Sequence, residues 1–244
     1  MINIYNQDCL IAMRQMRDNE FDLAIVDPPY GLTKGMKQGI KSIVSTKKDK
    51  SIYAVDDWNI KPIDEYFIEL QRVSKNQVIF GGNYFPILWT EPTRSMIVWD
   101  KRTIGKLHAD YEMAWCSMDR NAKLFSYRWS AIQKETGQHQ PGDKIHPTEK
   151  PRALYDWILR NYAQSGDTIL DTHLGGGSIA HACHDTGHDL TAYEINETYF
   201  SRALFRLKQY QRQLSLFEDV ISALDPLLEQ ITLIYTGAKS QRLK

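Results

Sequence analysis

The tetrapeptide Asp27-Pro28-Pro29-Tyr30 combines a carboxylate, carbonyl groups and an aromatic ring at one point of the chain. It follows residues 22–26, an apolar run that predicts a buried parallel strand. Two consecutive prolines exclude helix and sheet pairing, so the chain must leave the sheet in an extended conformation. Because prolines lack an N–H group, the local carbonyls have few internal partners. These residues suit a substrate that offers amine protons and a planar ring, although an ordinary strand-to-loop turn would have the same pattern.

Charge and cysteine usage limit the class of protein. The 244 residues include 30 basic and 30 acidic side chains, so any binding of nucleic acid would have to come from local patches. The cysteines, Cys9, Cys116 and Cys183, are few and far apart, which argues against a disulfide framework and indicates a reducing compartment. The sequence has no signal-peptide pattern and no apolar run of membrane length. We therefore expect a cytoplasmic protein that does not bind a membrane.

Predicted strands and helices alternate along most of the chain, which indicates an α/β fold with a mostly parallel sheet. The predicted strands cover residues 2–5, 22–26, 77–80, 95–99, 111–116, 168–170 and 189–193. The predicted helices cover residues 9–16, 62–73, 152–162 and 197–213, and another begins at residue 179. No convincing linker divides the sequence, so we predict a single domain over residues 1–244, with a lysine-rich polar loop at 31–57.

A glycine-rich turn in the second half of the chain predicts a cofactor site. A predicted strand ends at Asp171, and the turn that contains Gly175 and Gly177 leads through Ser178 into a helix. Glycines let a backbone approach a ligand at the carboxyl ends of parallel strands. The turn has neither the G-x-G-x-x-G nor the G-K-[ST] pattern, which argues against a dinucleotide or a triphosphate. Glu194 ends the next predicted strand. Carboxylates at the ends of these two strands favour a cationic nucleoside such as S-adenosylmethionine. The alternative is that the glycines serve only tight packing of the turn.

Two further segments complete the pattern. Gln7-Asp8-Cys9-Leu10 lies before the Asp27 tetrapeptide, and His146-Pro147-Thr148-Glu149-Lys150-Pro151 precedes the strand that ends at Asp171. In this order the chain resembles the beta class of DNA amino methyltransferases, of the adenine-specific N6 type, in which the catalytic D-P-P-Y motif precedes the cofactor motif. The G-D-C-L, H-P-T-x-K-P and D-P-F-x-G-x-G-T elements of that family match these segments in full or in part. Thr172 and His173 stand where the family usually has Pro-Phe.

The resemblance implies a Rossmann-like, S-adenosylmethionine-dependent methyltransferase fold with helices on both faces of the sheet. The strands that end at Asp27 and Asp171 would be central neighbours, which would bring the methyl group of the cofactor beside the tetrapeptide. The implied reaction is methylation of the N6 amine of adenine in DNA, with the target base flipped out of the duplex. The Asp27 side chain and the Pro28 carbonyl would accept the amine N–H bonds, and Tyr30 would stack on the base.

The resemblance and the charge pattern also give a set of candidate site residues. The catalytic candidates are Asp27, Pro28, Pro29 and Tyr30. The cofactor-binding candidates are Asp8, Cys9, Asp27, His146, Thr148, Lys150, Asp171, Gly175, Gly177, Ser178 and Glu194, with Thr148 and Lys150 at the methionine end. The candidates for contacts with DNA phosphates are Lys34, Lys37, Lys41, Lys47, Lys48, Lys50, Lys101, Arg102 and Arg128. A solvated charged loop is the alternative for the first six lysines.

Other features leave alternatives open. Methylation of N4 of cytosine uses the same geometry, although the family more often has Ser in place of Asp27 for that activity. A catalytically inactive nucleic-acid-binding module with the same fold is a second alternative. His181, His184 and His188 share a predicted helix face with Cys183 nearby, but no second group of ligands lies close in sequence, so we predict no metal site. The family resemblance also implies a short recognition segment at about 117–145 and makes a homodimer plausible.

Overall fold

In the described residues, eight strands form one mixed sheet in the order β1-β8-β7-β2-β3-β5-β4-β6. This computed structural model describes residues 1–31, 60–105, 109–128, 145–146, 148–216 and 224. The strands are β1 Ile2–Tyr5, β2 Phe21–Val26, β3 Ser74–Phe80, β4 Met96–Asp100, β5 Tyr111–Cys116, β6 Lys123–Ser126, β7 Thr168–Asp171 and β8 Asp189–Tyr193. The first five strands in this sheet order, from β1 at the edge to β3, are parallel to their neighbours. Strand β5 runs antiparallel to β3 and to β4. The predicted α/β fold with a mostly parallel sheet is therefore confirmed.

Five helices accompany the sheet in the part of the chain that is described. They are α1 Cys9–Met13, α2 Asp64–Val73, α3 Arg152–Tyr162, α4 Ser178–Thr186 and α5 over residues 197–216. Two short 3-10 turns, Gly82–Tyr84 and Pro86–Trp89, follow β3. The prediction for α3 is confirmed at both ends, because Pro151 stands just before the first helical residue, where a proline does not interrupt helical hydrogen bonds.

Both faces of the sheet are covered, as the alternation of side chains along β2 demonstrates. Ala24 and Val26 belong to a buried cluster with Phe67 and Leu70 of α2. Leu23 and Ile25 point to the opposite face because successive side chains of a strand alternate, and their exposed fractions are 1% and 0%. A strand buried on both faces is continuously apolar, which explains why the run before Asp27 has no polar alternation.

Some predictions fall outside the described residues or differ from the structure. The predicted loop at 31–57 is described only at Gly31, and residues 129–144 of the predicted recognition segment are not described. Strand β6 was not predicted, because its Lys123 and Leu124 are both exposed and it pairs only with β4 at the edge of the sheet. Among the described residues, no helix is long and apolar enough to cross a membrane.

The chain divides into two compact units, Met1–Leu204 and Phe205–Lys244. The first contains the whole sheet and helices α1 to α4. The second is helical over residues 205–216 and is otherwise described only at residue 224. The single domain over residues 1–244 stays a prediction.

Candidate active site

The carboxyl ends of three adjacent parallel strands bring three acidic residues to one edge of the sheet. Strand β7 pairs with β2 through Leu23–Ile169 and Ala24–Leu170, and with β8 through Asp171–Ala192. Asp27 follows β2, Asp171 ends β7 and Glu194 follows β8. The expectation that the strands ending at Asp27 and Asp171 are neighbours is confirmed.

The Asp27 carboxylate is held from both sides. The Tyr30 hydroxyl donates a hydrogen bond to Asp27 Oδ1 at 2.7 Å, within the same tetrapeptide. Lys150 Nζ donates to the other oxygen, Asp27 Oδ2, and lies 3.4 Å from the Tyr30 hydroxyl. A carboxylate can accept about four hydrogen bonds, so each oxygen keeps acceptor capacity for another donor. The plane of the Asp27 carboxylate is thereby fixed, and its oxygens can still accept from an amine.

The Tyr30 ring lies in an aromatic cluster. Tyr84 stacks on it with ring centroids 5.0 Å apart and an angle of 22° between the planes, and Phe85 meets its edge at 6.2 Å. Gly81 supports the ring from the backbone of the turn after β3, since a Cβ atom added there would overlap the Tyr30 side chain. Tyr84 is 38% exposed, so the cluster reaches from the core to the surface.

The glycine turn between β7 and α4 is built by close backbone approach. Gly175 and Gly177 have φ values of +54° and +77°, which favour glycine. The Gly175 N–H donates to Glu194 Oε2 at 2.8 Å. A Cβ atom added at Gly176 would overlap the side chain of Glu149, whose Oε1 accepts from the Ser178 hydroxyl at 3.0 Å. Close packing against Glu149 and the hydrogen bond to Glu194 therefore fix the shape of the turn.

Two of the acidic groups at this edge form no ion pair with a cationic side chain in the described residues, although the charge of Lys150 acts on Asp171. Burial, together with the nearby charges of Asp27 and Glu194, raises the pKa of Asp171 to about 8, although its Oδ1 accepts from the His173 N–H. Burial also raises the pKa of Glu194, against the effect of its hydrogen bonds from Asn196 and Gly175. A cationic ligand would stabilise the ionised forms. These residues fit a sulfonium nucleoside better than a phosphorylated one.

Comparison with known proteins identifies the family. A family model for DNA methylases, N6_N4_Mtase, matches residues 35–205. The chain belongs to this family. The DNA adenine methyltransferase YhdJ of Escherichia coli strain K12 is 24% identical over 251 residues, which cover 84% of this chain and 82% of that relative.

Solved structures confirm the fold of this DNA methylase. M1.HpyAVI, solved in complex with S-adenosylmethionine, matches with a TM-score of 0.54 and 20% identity over 84% of this chain and 100% of that one. The cytosine-N4-specific PvuII DNA methyltransferase matches with a TM-score of 0.55 and 14% identity, over 84% of this chain and 86% of that one. The predicted S-adenosylmethionine-dependent methyltransferase fold and the resemblance to DNA amino methyltransferases are confirmed.

The two residues that replace the Pro-Phe of the family join β7 to α2 in this DNA methylase. Thr172 Oγ1 lies 2.6 Å from the Tyr66 hydroxyl and 2.9 Å from His173 Nδ1. The His173 ring meets the edge of the Tyr66 ring at 5.3 Å. Burial lowers the pKa of His173 to about 4, so the imidazole is neutral at neutral pH. A hydrogen-bonded polar wall therefore stands where the family motif has two apolar residues.

The remaining cofactor candidates lie in different surroundings. Asp8 caps α1, where its Oδ1 accepts from the Leu10 N–H at 2.8 Å. Burial and the charge of Asp8 raise the pKa of the Cys9 thiol to about 12, so it is protonated at neutral pH. His146 Nδ1 lies 3.1 Å from Thr148 Oγ1, and the His146 ring lies near Gly175. Lys150 contacts Asp27 and the Tyr30 hydroxyl of the catalytic motif, and its place at the methionine end of the cofactor stays a prediction.

The predicted DNA contacts are described only in part. The six candidates from Lys34 to Lys50 lie outside the described residues. Lys101 binds Glu112 and lies 4.9 Å above the Trp99 ring, so its ammonium group already has an anionic partner. Arg102 is exposed and donates to Ser126 Oγ at 2.9 Å, whereas Arg128 is half-buried. Contacts of Lys101, Arg102 and Arg128 with DNA phosphates stay predictions.

His181 and His184 lie on α4, whereas His188 lies beyond its last residue, so the predicted helix face shared by all three histidines is wrong for His188. The three histidines have separate partners. His181 Nδ1 lies 3.1 Å from the Gly177 carbonyl, and His188 Nε2 lies 3.0 Å from the Gln164 carbonyl. His184 lies beside Asp185. In the part of the chain that the structure describes, no three His, Cys, Asp or Glu side chains are grouped to hold a metal ion.

Glu112 and Tyr84 also lie at this site, although neither was predicted from the sequence. Glu112 comes from β5, and its Oε2 lies 3.2 Å from Lys150 Nζ. An acid inside an antiparallel strand carries no local sign of a site, because only the sheet order brings it to Lys150. Tyr84 follows Gly81-Gly82-Asn83, and this glycine pair after a strand was the available signal.

We expect Gly81→Ala to slow methyl transfer by about 100-fold, because displacing a reacting group by about 1 Å can cost that much. The added methyl group would push the Tyr30 ring away from its position beside Asp27. Gly187→Ala is the matched control, since Gly187 also has a positive φ, +74°, but open space around its Cβ position. Both variants share the strain of a positive φ, and Gly81→Ala should lose more stability in thermal unfolding because it adds the clash with Tyr30. Equal transfer rates for the two variants would contradict the role of the Tyr30 position.

Proposed function

We propose that this DNA methylase transfers the methyl group of S-adenosylmethionine to the N6 amine of adenine in DNA. The observation that carries the proposal is the Asp27 carboxylate, oriented by Tyr30 and Lys150, at a strand end next to the acidic edge formed by Asp171 and Glu194. Family membership supports transfer to an exocyclic amine in DNA. Asp at position 27 favours adenine over cytosine in the family that the chain resembles.

The chemistry requires an amine to be oriented rather than deprotonated beforehand. The exocyclic amine is a weak nucleophile because its lone pair is delocalised into the ring. S-adenosylmethionine supplies an electrophilic methyl group on a sulfonium that leaves as a neutral thioether. Asp27 and the Pro28 carbonyl each accept one hydrogen bond from the amine. These two hydrogen bonds favour a pyramidal nitrogen and point its lone pair at the methyl group. Positioning of the reactants then supplies much of the acceleration. Once the new N–C bond forms, the nitrogen passes its proton to the Asp27 carboxylate, which already accepts a hydrogen bond from it.

The target base must leave the duplex to reach Asp27. Unstacking costs a few kcal/mol, and stacking on an aromatic side chain returns about 1–3 kcal/mol per base. The pair of Tyr30 and Tyr84 offers such a surface, because Tyr84 continues the stack outward. We propose that the base rests against this aromatic cluster while its amine reaches Asp27.

Asp8, Asp171 and Glu194 are our candidates for the nucleoside part of the cofactor. The glycine turn at Gly175 and Gly177 would approach it through its backbone. Binding of DNA phosphates by the lysines of residues 31–57, assembly as a homodimer and a cytoplasmic location stay predictions.

Modification-sensitive sequencing of DNA from cells that express the protein tests this function. We expect N6-methyladenine in a defined sequence context, absent from cells that express Asp27→Ala. N4-methylcytosine instead would assign the alternative specificity. DNA without a new modification, from cells with folded protein, would support the inactive binding module.

A further inference from the structure

Four charged side chains form a chain of alternating sign that ends at the catalytic motif. Lys101 Nζ binds Glu112 Oε1, and Glu112 Oε2 lies 3.2 Å from Lys150 Nζ. Lys150 Nζ in turn binds Asp27 Oδ2. The residues come from the segment after β4, from β5, from the segment before α3 and from the segment after β2. Two positive and two negative charges therefore balance along one row, in which Lys150 is buried and the other three side chains are partly exposed.

Lys150 is the buried centre of this row. Its side chain is 2% exposed, and its ammonium lies 4.6 Å from the centroid of the Phe80 ring. Burial alone would lower the pKa of Lys150, but the charges of Asp27 and Glu112 raise it above its usual value. A buried ammonium with two carboxylate partners stays protonated across the range in which enzymes work. Its position is consequently set by both anions.

Glu112 is the second anion, and it is ionised as well. Burial on its own would raise the pKa of Glu112. The charges and hydrogen bonds of Lys150 and Lys101 outweigh this effect and lower the pKa to about 2. Glu112 is therefore negatively charged at neutral pH, and Lys150 lies between it and Asp27. Glu112 and Asp27 both accept hydrogen bonds from the Lys150 ammonium group. Glu112 therefore weakens the interaction of Lys150 with Asp27, and it also fixes the position of the lysine.

We propose that Lys150 is a positioning residue that keeps the Asp27 carboxylate oriented for the substrate amine, and that Glu112 balances Lys150 in this task. The role rests on the proposed function, because it concerns the acceptor of the amine N–H bond. Only a carboxylate whose oxygens are held in place can accept that N–H in the reactive orientation. Lys150 holds Asp27 Oδ2 in place beside the other acidic groups of the site.

Removing Lys150 should expose the repulsion among these acids. The other titratable groups whose charges act on or beside Asp27 are Tyr30, Tyr66 of α2, Tyr155 of α3 and Asp171 of β7. None of these is a cation. In Lys150→Met, Asp27 loses the ammonium group that lies between it and Glu112 in the described residues. The charge of Glu112, although still partnered by Lys101, then repels the Asp27 carboxylate and disturbs its orientation.

The test measures single-turnover methyl transfer to DNA between pH 5.5 and 9, with saturating S-adenosylmethionine. For Lys150→Met we expect the acid limb of the rate profile to move up by about 1–3 pH units, the size of effect that one nearby charge has on the acidic groups of a site. At pH 6 the rate should fall by about 100-fold, in the range that a positioned proton acceptor contributes. Adding Glu112→Gln to Lys150→Met should move the limb back toward lower pH, because it removes the repelling carboxylate.

A merely structural role for Lys150 predicts the opposite result for the double variant, since two lost contacts would do more damage than one. Should Lys150→Met fail to fold, the charge-balanced double variant is compared with Glu112→Gln alone. The double variant should then be at least about 10-fold slower at pH 6. Lys75→Met is the control, because Lys75 also binds a carboxylate, Asp22 at 2.6 Å, at the opposite edge of the sheet.

Two results overturn the role. In a protein that methylates DNA, a Lys150→Met profile equal to that of the wild type overturns it and leaves the proposed function intact. If the double variant transfers methyl groups as fast as Glu112→Gln at pH 6, the role of Lys150 is also overturned and the proposed function stands. If the wild type binds S-adenosylmethionine but transfers no methyl group to DNA, the proposed function itself is wrong, and the role falls with it.

Discussion

Asp27→Ala is expected to slow methyl transfer to DNA by about 10²–10⁴-fold, the contribution typical of a positioned proton acceptor. The variant removes the carboxylate that Tyr30 and Lys150 orient, so one amine N–H bond of the substrate loses its acceptor. Affinity for S-adenosylmethionine should change by less than about 10-fold, the effect of one lost hydrogen bond, because Asp171 and Glu194 remain. Single-turnover kinetics and calorimetric titration with the cofactor measure the two effects separately.

The same substitution at the other end of β2 provides the control. Asp22 accepts hydrogen bonds from Lys75 and Thr168, which hold the pKa of its carboxyl at about 2. Asp22→Ala should therefore lower stability by about 1–2 kcal/mol through lost hydrogen bonds but leave the transfer rate unchanged. Equal rate losses for Asp22→Ala and Asp27→Ala would mean that both act through the fold, and Asp27 would lose its place in catalysis.

Asp171→Asn is expected to weaken binding of S-adenosylmethionine and to stabilise the free protein at alkaline pH. Asparagine keeps an acceptor for the His173 N–H but removes a buried charge. The folded-state pKa of about 8 lies above the usual value of 3.8, so the folded protein holds a proton that the unfolded chain has released. Stability of the wild type must fall as the pH rises from about 4 to about 8, and the variant lacks this loss.

Denaturant unfolding at pH 5 and pH 8 measures the stability effect. From pH 5 to pH 8, the free energy of unfolding of the variant should rise by on the order of 2–5 kcal/mol relative to that of the wild type. This range follows from about 1.4 kcal/mol for each unit of pKa change. Cofactor affinity should fall by about 10–100-fold, because a hydrogen bond to a charged group is lost. A stability difference independent of pH would show that Asp171 is ionised in the folded protein, contrary to the electrostatics of the site.

The sequence was sufficient to predict the parts of the site that depend on parallel strands. Asp27, Asp171 and Glu194 each follow an apolar run, and the carboxyl ends of adjacent parallel strands meet at one edge. The glycine turn and the start of α3 at Pro151 were predictable for the same reason, because glycine and proline restrict the backbone locally.

The contacts that tune the site could not be predicted from local patterns. Lys150 and Asp27 are 123 positions apart, and nothing near either residue indicates their ion pair. Glu112 reaches Lys150 only because β5 inserts antiparallel between β3 and β4, which the strand pattern did not reveal. The bond between Tyr66 and Thr172 likewise joins residues 106 positions apart. Such contacts follow from the packed fold, where burial makes each charge depend on its neighbours.

The most direct test of the central claim follows a labelled methyl group. DNA is incubated with the purified protein and S-adenosylmethionine that carries a deuterated methyl group, digested to nucleosides and examined by mass spectrometry. We predict the label in N6-methyladenine with the wild type and its loss by about 10²–10⁴-fold with Asp27→Ala. Label on cytosine, or label on adenine that persists undiminished in Asp27→Ala, would contradict the assignment of Asp27-Pro28-Pro29-Tyr30 as the centre that orients the adenine amine.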